Sequence, residues 1–152
     1  MPIRVGASAI IVRDNSLLLV EFDEEGVGVH YNLPGGGVED GELLEDAVRR
    51  EVLEETCLQV DVGRMLFVFE YVPSFHRYKY GARHSVNVIF ECNSQQGSEA
   101  RMPDVPDLLQ IGVRWVPLAE LTRLPLLPKI GESLIEAIQS KNSYPTILRE
   151  TT

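Results

Sequence analysis

Gly36–Leu58 reads GGVEDGELLEDAVRREVLEETCL, a glycine-rich start followed by an acidic segment with helical periodicity. At about 100° per residue, a helix over residues 42–56 places four apolar side chains on one face, namely Leu44, Ala47, Val48 and Val52. Glu51 and Glu55 project into this apolar face, and Glu54 lies at its edge. The same face of one helix therefore carries the core-forming residues and a group of carboxylates.

Three glutamates so close to an apolar face need a compensating positive charge. Like charges four residues apart disfavour a helix by about 0.2–0.5 kcal/mol, and a carboxylate turned toward a core is costly unless it is neutralised. Glutamates that were merely solvated would lie opposite the apolar stripe. We therefore expect Glu51, Glu54 and Glu55 to hold a divalent cation, and hard oxygen ligands favour Mg²⁺ or Mn²⁺.

The order and spacing of these residues resemble the signature of the Nudix hydrolases. That signature reads Gly-x5-Glu-x7-Arg-Glu-U-x-Glu-Glu-x-Gly-U, where U is aliphatic, and the chain matches eight of its nine specified positions from Gly36 to Leu58. The exception is Cys57, which stands where the family has glycine. The preceding residues 31–37 and the later segment Trp115-Val116-Pro117 also resemble the family.

The resemblance implies a hydrolase that cleaves a pyrophosphate bond in a nucleoside diphosphate linked to another group, either an ADP-ribose-like molecule or a nucleoside triphosphate. It implies that Gly36 adds its carbonyl to the metal ligands, and that Arg50 orients the carboxylates from outside the ligand set. The catalytic residues expected on this basis are Arg50, Glu51, Glu54 and Glu55. The general base is either Glu51 or a carboxylate of a later loop, for which the candidates are Glu99, Asp104 and Asp107.

A different class of function stays open beside the enzyme. A related domain could sense a nucleotide or nucleotide sugar without hydrolysing it. A pure sensor could lose any of the three glutamates without penalty, whereas this chain has Glu51, Glu54 and Glu55.

The replacement of glycine by Cys57 bears on stability more than on chemistry. The position lies just past the predicted helix end, where a left-handed backbone is easiest without a β-carbon. We expect a strained helix terminus at Cys57 and no direct part in metal binding.

The rest of the chain predicts an α+β fold. Alternating apolar residues and turn signals predict strands at Arg4–Val12, Ser16–Glu21, Tyr31–Leu33, Gln59–Tyr71, His84–Asn93 and Ile111–Val116, with a loop over residues 23–29. Residues 117–121 predict a helical turn, and residues 129–140 a helix. A mixed sheet with helices packed on it is the expected architecture, and the Nudix resemblance implies an α/β/α sandwich. We expect one domain over residues 1–142 and a tail over residues 143–152.

Phe75–His84 is the second informative segment, because it is basic and aromatic in an acidic chain. One hypothesis is a substrate grip, in which Arg77 and Arg83 bind phosphate oxygens while Phe75 or Tyr78 stacks on a base. The alternative is a solvated hairpin tip. Tyr31, in the segment that leads into the glycines, is a further candidate for substrate binding.

Length and composition restrict the class of protein. A chain of 152 residues has the size of one domain. Two cysteines, the lack of a secretory leader and the lack of an apolar run of about 18 residues lead us to expect a cytoplasmic protein without a membrane span. A net charge of −9 disfavours stable binding to nucleic-acid backbones. The expected partner is a small nucleotide-type substrate, and a homodimer stays open.

Overall fold

The structure is a computed structural model and describes residues 2–140 and 144–150. These residues form eight strands, two α-helices and one 3₁₀ turn (Leu118–Glu120). The strands are β1 (Arg4–Arg13), β2 (Ser16–Glu24), β3 (Gly28–Asn32), β4 (Gly35–Gly37), β5 (Val60–Tyr71), β6 (Ser85–Ser94), β7 (Gln110–Pro117) and β8 (Thr146–Leu148). The helices are α1 (Leu44–Thr56) and α2 (Gly131–Gln139).

The strands form a mixed sheet in the order β3-β2-β1-β6-β5-β8, while β4 pairs with β1 and β7 pairs with β2. The central pair β1 and β6 is parallel, and β6 pairs antiparallel with β5. Because β1 pairs with β6, residues 4–11 lie beside residues 85–92, about eighty positions later in the chain. This long-range pairing places the start of the chain beside the strand that follows the basic and aromatic segment Phe75–His84.

The two helices cover opposite faces of the sheet. Successive residues of a strand point to opposite sides, and β1 supplies both buried clusters in this way. Ala9 and Ile11 are buried in the same cluster as Val48 of α1, whereas Ile10 belongs to the cluster that contains Leu134 of α2. The α/β/α sandwich with a mixed sheet expected from the sequence is thus confirmed. None of the helices in the described part of the chain is both long and apolar enough to cross a membrane.

Helix α1 starts two residues later than its periodicity suggested and ends at the expected place. Residue 57 has φ 60° and ψ 4°, the left-handed conformation, and its N–H donates to the Leu53 carbonyl at 3.0 Å. Leu53 lies on the polar side of the helix and is exposed. The strain expected at Cys57 is therefore present in the backbone of the helix terminus.

Two segments differ from the sequence-based expectation. The loop expected over residues 23–29 is shorter, because β2 continues to Glu24 and pairs antiparallel with β3 from Gly28 onward. The expected C-terminal tail contributes β8, which pairs in parallel with β5. The boundary expected between residues 142 and 143 lies outside the described residues. The early start of β3 and the existence of β8 could not be predicted from nearby residues, because each strand forms by pairing with a neighbouring strand.

Candidate active site

The glycine-rich strand β4 lies directly against the acidic helix. A β-carbon built on Gly36 would lie 2.6 Å from each carboxylate oxygen of Glu51, far inside van der Waals contact. Glycine is therefore required at this position for the Glu51 carboxylate to lie against the backbone. The contact brings the Gly36 main chain and one predicted ligand together, and metal binding by the Gly36 carbonyl stays a prediction.

Arg50 connects the carboxylates to the turn that precedes α1. Its guanidinium donates to both oxygens of Glu42, at 2.8 and 3.0 Å, and to the Gly37 carbonyl at 3.0 Å. It also donates to Glu51 at 2.8 Å and to Glu54 at 3.4 Å. The Arg50 bonds to Glu42, together with a bond from the Glu39 N–H, hold the pKa of Glu42 down at about 2. Arg50 thus contacts Glu42, Glu51 and Glu54 at once, and the orienting role implied by the resemblance stays a prediction.

Glu55 is the most deeply buried of the three predicted ligands. The residue is 8% exposed, and its Oε1 accepts a hydrogen bond from the Gly35 N–H at 2.8 Å. Burial, together with the charges of Glu51 and Asp107, raises the pKa of Glu55 to about 8, although the Gly35 bond opposes the shift. Burial likewise raises the pKa of Glu51, although Arg50 opposes the shift. A cation at this place would offset both the burial and the smaller like-charge repulsion that raise these pKa values.

The three predicted ligands do not form a closed cage. Within residues 2–140 and 144–150, no three Asp, Glu, His or Cys side chains converge as a metal-binding cluster. The Glu51 side chain is 16% exposed, whereas Glu54 is 58% exposed and turns outward beside Arg50. Mg²⁺ is commonly held by one or two protein carboxylates together with substrate phosphates and water. The half-buried carboxylate of Glu51 beside Gly36 and the buried carboxylate of Glu55 beside Gly35 fit such an open site.

A cavity of about 430 Å³ extends from Gly35 and Gly36 across the sheet. Its polar lining includes Arg4, Ser8, Asn32, Asn87 and Arg83, and its apolar lining includes Phe69, Tyr71 and Tyr80. The Oδ1 atom of Asn32 is buried and has no donor among the described residues. Because this buried oxygen lacks a hydrogen-bond donor, it favours a ligand that brings an N–H or O–H group.

Of the four residues predicted to bind substrate, only Arg83 lines the cavity. Arg83 lines the cavity, whereas Phe75 and Arg77 are exposed and lie outside its lining. Tyr31 is buried, and its hydroxyl donates to Glu21 and accepts a bond of 2.7 Å from Arg114. Its side chain is absent from the cavity lining, but its backbone pairs with residues 125–127, two of which line the cavity.

The three later carboxylates proposed as general base differ in their distance from the acidic helix. Glu99 pairs with Arg13 at 3.1 Å and Asp104 with Arg101 at 3.6 Å, and both carboxylates are exposed. Asp107 is near enough to raise the pKa of both Glu51 and Glu55 by its charge. The structure therefore brings Asp107, alone among the three later carboxylates, into electrostatic range of the acidic helix.

Sequence reasoning missed several residues of the cavity wall, among them Ser8 and Asn87. Asn87 donates to the Ser8 hydroxyl at 3.0 Å, from the parallel strand beside it. The signal that could have found them is a polar residue inside an apolar strand run, as in Val86-Asn87-Val88. Arg4 and Tyr71 had no comparable signal, because they lie at strand ends where such residues are common.

Comparisons with known proteins agree with this geometry. The family model described as the NUDIX domain matches residues 2–138. The chain is 30% identical to "Putative nudix hydrolase 1" of Caenorhabditis elegans over 92% of its own length and 36% of that protein. It is 42% identical to the "ADP-ribose pyrophosphatase" of Methanocaldococcus jannaschii over 43% of its length and 38% of that protein. The chain thus spans little more than a third of each of these relatives.

A solved structure shows the same fold over nearly the whole chain. The MutT NUDIX hydrolase from Burkholderia pseudomallei superimposes with a TM-score of 0.72 at 27% sequence identity, covering 93% of this chain and 100% of that one. The resemblance seen between Gly36 and Leu58 therefore extends to the complete arrangement of strands and helices.

Proposed function

The chain belongs to the Nudix family, and on that premise we propose that it hydrolyses the pyrophosphate bond of a nucleoside diphosphate linked to another group, with Mg²⁺ or Mn²⁺ as cofactor. The observation that carries the proposal is the placement of two carboxylates, buried Glu55 and half-buried Glu51, against the backbone of Gly35 and Gly36. The same two glycines line a cavity of about 430 Å³. Carboxylates whose pKa values are raised by burial next to an open cavity are typical of a functional site.

The reaction divides between the metal and this chain's own residues. A bound divalent cation supplies charge neutralisation at the phosphate oxygens and a lowered pKa for the attacking water. Glu51, Glu55 and the Gly36 carbonyl would hold it, with Glu54 at the outer edge. Arg50 keeps Glu51 oriented through its bond of 2.8 Å. The proton of the attacking water is taken by Glu51 or by Asp107, the two carboxylates that stay open as general base.

The cavity fits a small nucleotide in size and in chemistry. Arg4 and Arg83 offer positive charge to phosphate oxygens, and Tyr71 and Tyr80 offer aromatic surface to a base or ribose. The name of the M. jannaschii relative favours ADP-ribose as the first substrate to try. Because Cys57 and Cys92 are free, the chain suits a reducing compartment, and we propose a cytoplasmic location.

A panel of substrates tests the proposal. ADP-ribose, other nucleoside diphosphate derivatives and nucleoside triphosphates are incubated with the protein and Mg²⁺, and the phosphate-containing products are quantified. We expect turnover of at least one compound, abolished by EDTA and restored by Mg²⁺ or Mn²⁺. The variant Glu55→Gln should lower kcat by orders of magnitude, whereas the control Glu45→Gln, an exposed residue of the same helix, should not.

Two results would contradict the proposal. Near-normal turnover by Glu55→Gln would remove Glu55 from the metal site. Tight binding of a nucleotide without any turnover on the panel would favour the sensing alternative instead.

A further inference from the structure

The last described residues of the chain contact the loop that forms part of the cavity wall. We call residues 72–81 the aromatic loop. Glu150 follows β8, and its side chain is 5% exposed. Its carboxylate accepts a hydrogen bond from Lys79 Nζ at 3.0 Å, and its backbone carbonyl lies 3.1 Å from His76 Nε2. Glu150 therefore fixes two positions of the aromatic loop, and it lies outside the residues 2–138 that match the family model.

The aromatic loop carries these contacts on to the cavity. His76 stacks on Tyr71 with 5.3 Å between ring centroids, and Tyr71 packs against Tyr80 at 5.4 Å. The Tyr71 hydroxyl donates to the Gly81 carbonyl at 2.7 Å and accepts from the Tyr80 N–H at 3.1 Å. Tyr71 and Tyr80 both line the cavity, whereas Glu150 does not. A continuous set of contacts thus joins a buried carboxylate outside the cavity to two rings on its wall.

The surroundings of Glu150 make its geometry sensitive to change. Its Oε2 and the Tyr80 hydroxyl are both buried and have no hydrogen-bond partner among the described residues. Burial raises the pKa of Tyr80, and the nearby Glu150 carboxylate raises it further. A buried carboxylate with only part of its bonding capacity satisfied is costly. Loss of the Lys79 bond would leave this buried carboxylate without its cationic partner, and we therefore expect the loop to shift.

We propose that Glu150 is a positioning residue, which holds the aromatic loop so that Tyr71 and Tyr80 form one wall of the substrate cavity. It acts on substrate affinity through those two rings and does not touch the reacting atoms. The proposal rests on the proposed function in one respect, since it takes the cavity beside Gly36 to be the substrate site.

Kinetics of charge-removing variants test the proposal. Glu150→Gln keeps the shape of the side chain and removes its charge, and Lys79→Met removes the other partner. The control is Glu136→Gln, the same chemical change at an exposed position of α2. Using the best substrate of the panel, we expect KM to rise by roughly three- to thirtyfold in Glu150→Gln and in Lys79→Met, the range of coupling between contacting residues. kcat should stay within about twofold. The double variant should show little more than the larger single effect, because both changes break the same bond.

If Glu150 only stabilised the fold, the kinetic constants of the variants would change differently. The substitutions would lower the folded fraction and hence the apparent kcat, with KM as in the wild type, and that result overturns the proposal. Additive effects on KM in the double variant would also overturn it, since they would show that Lys79 and Glu150 act separately.

Hydrogen exchange gives a readout that needs no activity. The amides of Tyr78 and Gly81 donate within the aromatic loop, to the carbonyls of Pro73 and Tyr78. The amide of Tyr80 donates to the hydroxyl of Tyr71 at the end of β5. They should exchange faster in Glu150→Gln than in Glu136→Gln, and equal rates would overturn the proposal. If the wild-type protein turns over nothing on the panel, the proposed function fails, and these exchange rates alone decide whether Glu150 positions the loop.

Discussion

At the scale of single residues, Cys57 shows how a helix can end at a position that suits glycine better. The residue adopts φ 60°, where a β-carbon crowds the backbone. The helix nevertheless closes normally, because the Cys57 N–H still bonds to the Leu53 carbonyl. The Cys57 side chain therefore strains the backbone but does not remove the hydrogen bond that ends the helix.

We predict that Cys57→Gly raises the free energy of unfolding by up to ~1 kcal/mol, because glycine adopts a positive φ without a steric penalty. The measurement is urea unfolding under reducing conditions. Cys57→Ala is the matched control, since it removes the thiol and keeps the β-carbon. Equal stabilisation by alanine and glycine would attribute the effect to the thiol, and a less stable glycine variant would show that Cys57 makes contacts that outweigh the strain. Turnover should change little in either variant.

The position of the Glu51 carboxylate depends on glycine at residue 36. The carboxylate occupies the space that a β-carbon on residue 36 would fill. Any side chain at this position would move Glu51, and with it the oxygen that Arg50 holds. The requirement for glycine here comes from close approach, since Gly36 is not among the residues with positive φ.

At the scale of elements, the loop between β5 and β6 divides into two parts with different roles. Arg83, near its end, lines the cavity, whereas Arg77 lies at an exposed turn with φ 55°. The sequence suggested a substrate grip formed by both arginines. Of these two arginines, Arg83 lines the cavity and Arg77 does not.

We predict that Arg83→Ala raises KM by roughly ten- to a hundredfold at low salt with kcat nearly unchanged. A charge-assisted bond to a part of the substrate that does not react contributes about 1.5–3 kcal/mol to ground state and transition state alike. Arg77→Ala removes the same charge from the same loop and serves as the control, with a much smaller change in KM. Equal effects of the two substitutions would mean that the loop acts only through its net charge, and unchanged KM in both would place the phosphate grip elsewhere.

At the scale of the whole molecule, the buried carboxylates connect stability to pH. The pKa of Glu55 is about 8 in the folded chain and 4.5 in its unperturbed state. The folded state therefore holds the proton more tightly than the unfolded state. The stability that this proton contributes is fully present below pH 4.5 and is lost as pH rises toward 8.

We predict that the metal-free wild-type protein loses stability relative to Glu55→Gln as pH rises between those two pKa values. The reason is that glutamine cannot ionise in the buried site. The measurement is urea unfolding in EDTA at several pH values in this interval. Addition of Mg²⁺ should reduce the wild-type loss at the upper end, because a cation stabilises the ionised carboxylate. A difference between the two proteins that does not vary with pH would show that Glu55 ionises normally in the fold.

Features that depend on near neighbours along the chain were predictable from the sequence. The helical phase of residues 44–56 follows from the spacing of Val48 and Val52, and the same spacing places Glu51 and Glu55 on the buried side. The left-handed backbone at residue 57 follows from its place after the last helical turn. Most strands were also predictable, because alternation and turn residues are local signals. The sandwich and the family followed from these local features and from the spacing of the acidic helix.

The tertiary structure alone decided which residues surround the cavity. Ser8 and Asn87 meet because β1 and β6 pair in parallel, and no local pattern sets that register. Tyr31 turned out to be buried against Arg114 because β2 pairs with both β3 and β7. Strand β8 and the burial of Glu150 exist only because the edge of β5 accepts another strand. The physical reason is common to all three: a side chain's surroundings are made by segments distant in sequence, whereas its secondary structure is made largely by its neighbours.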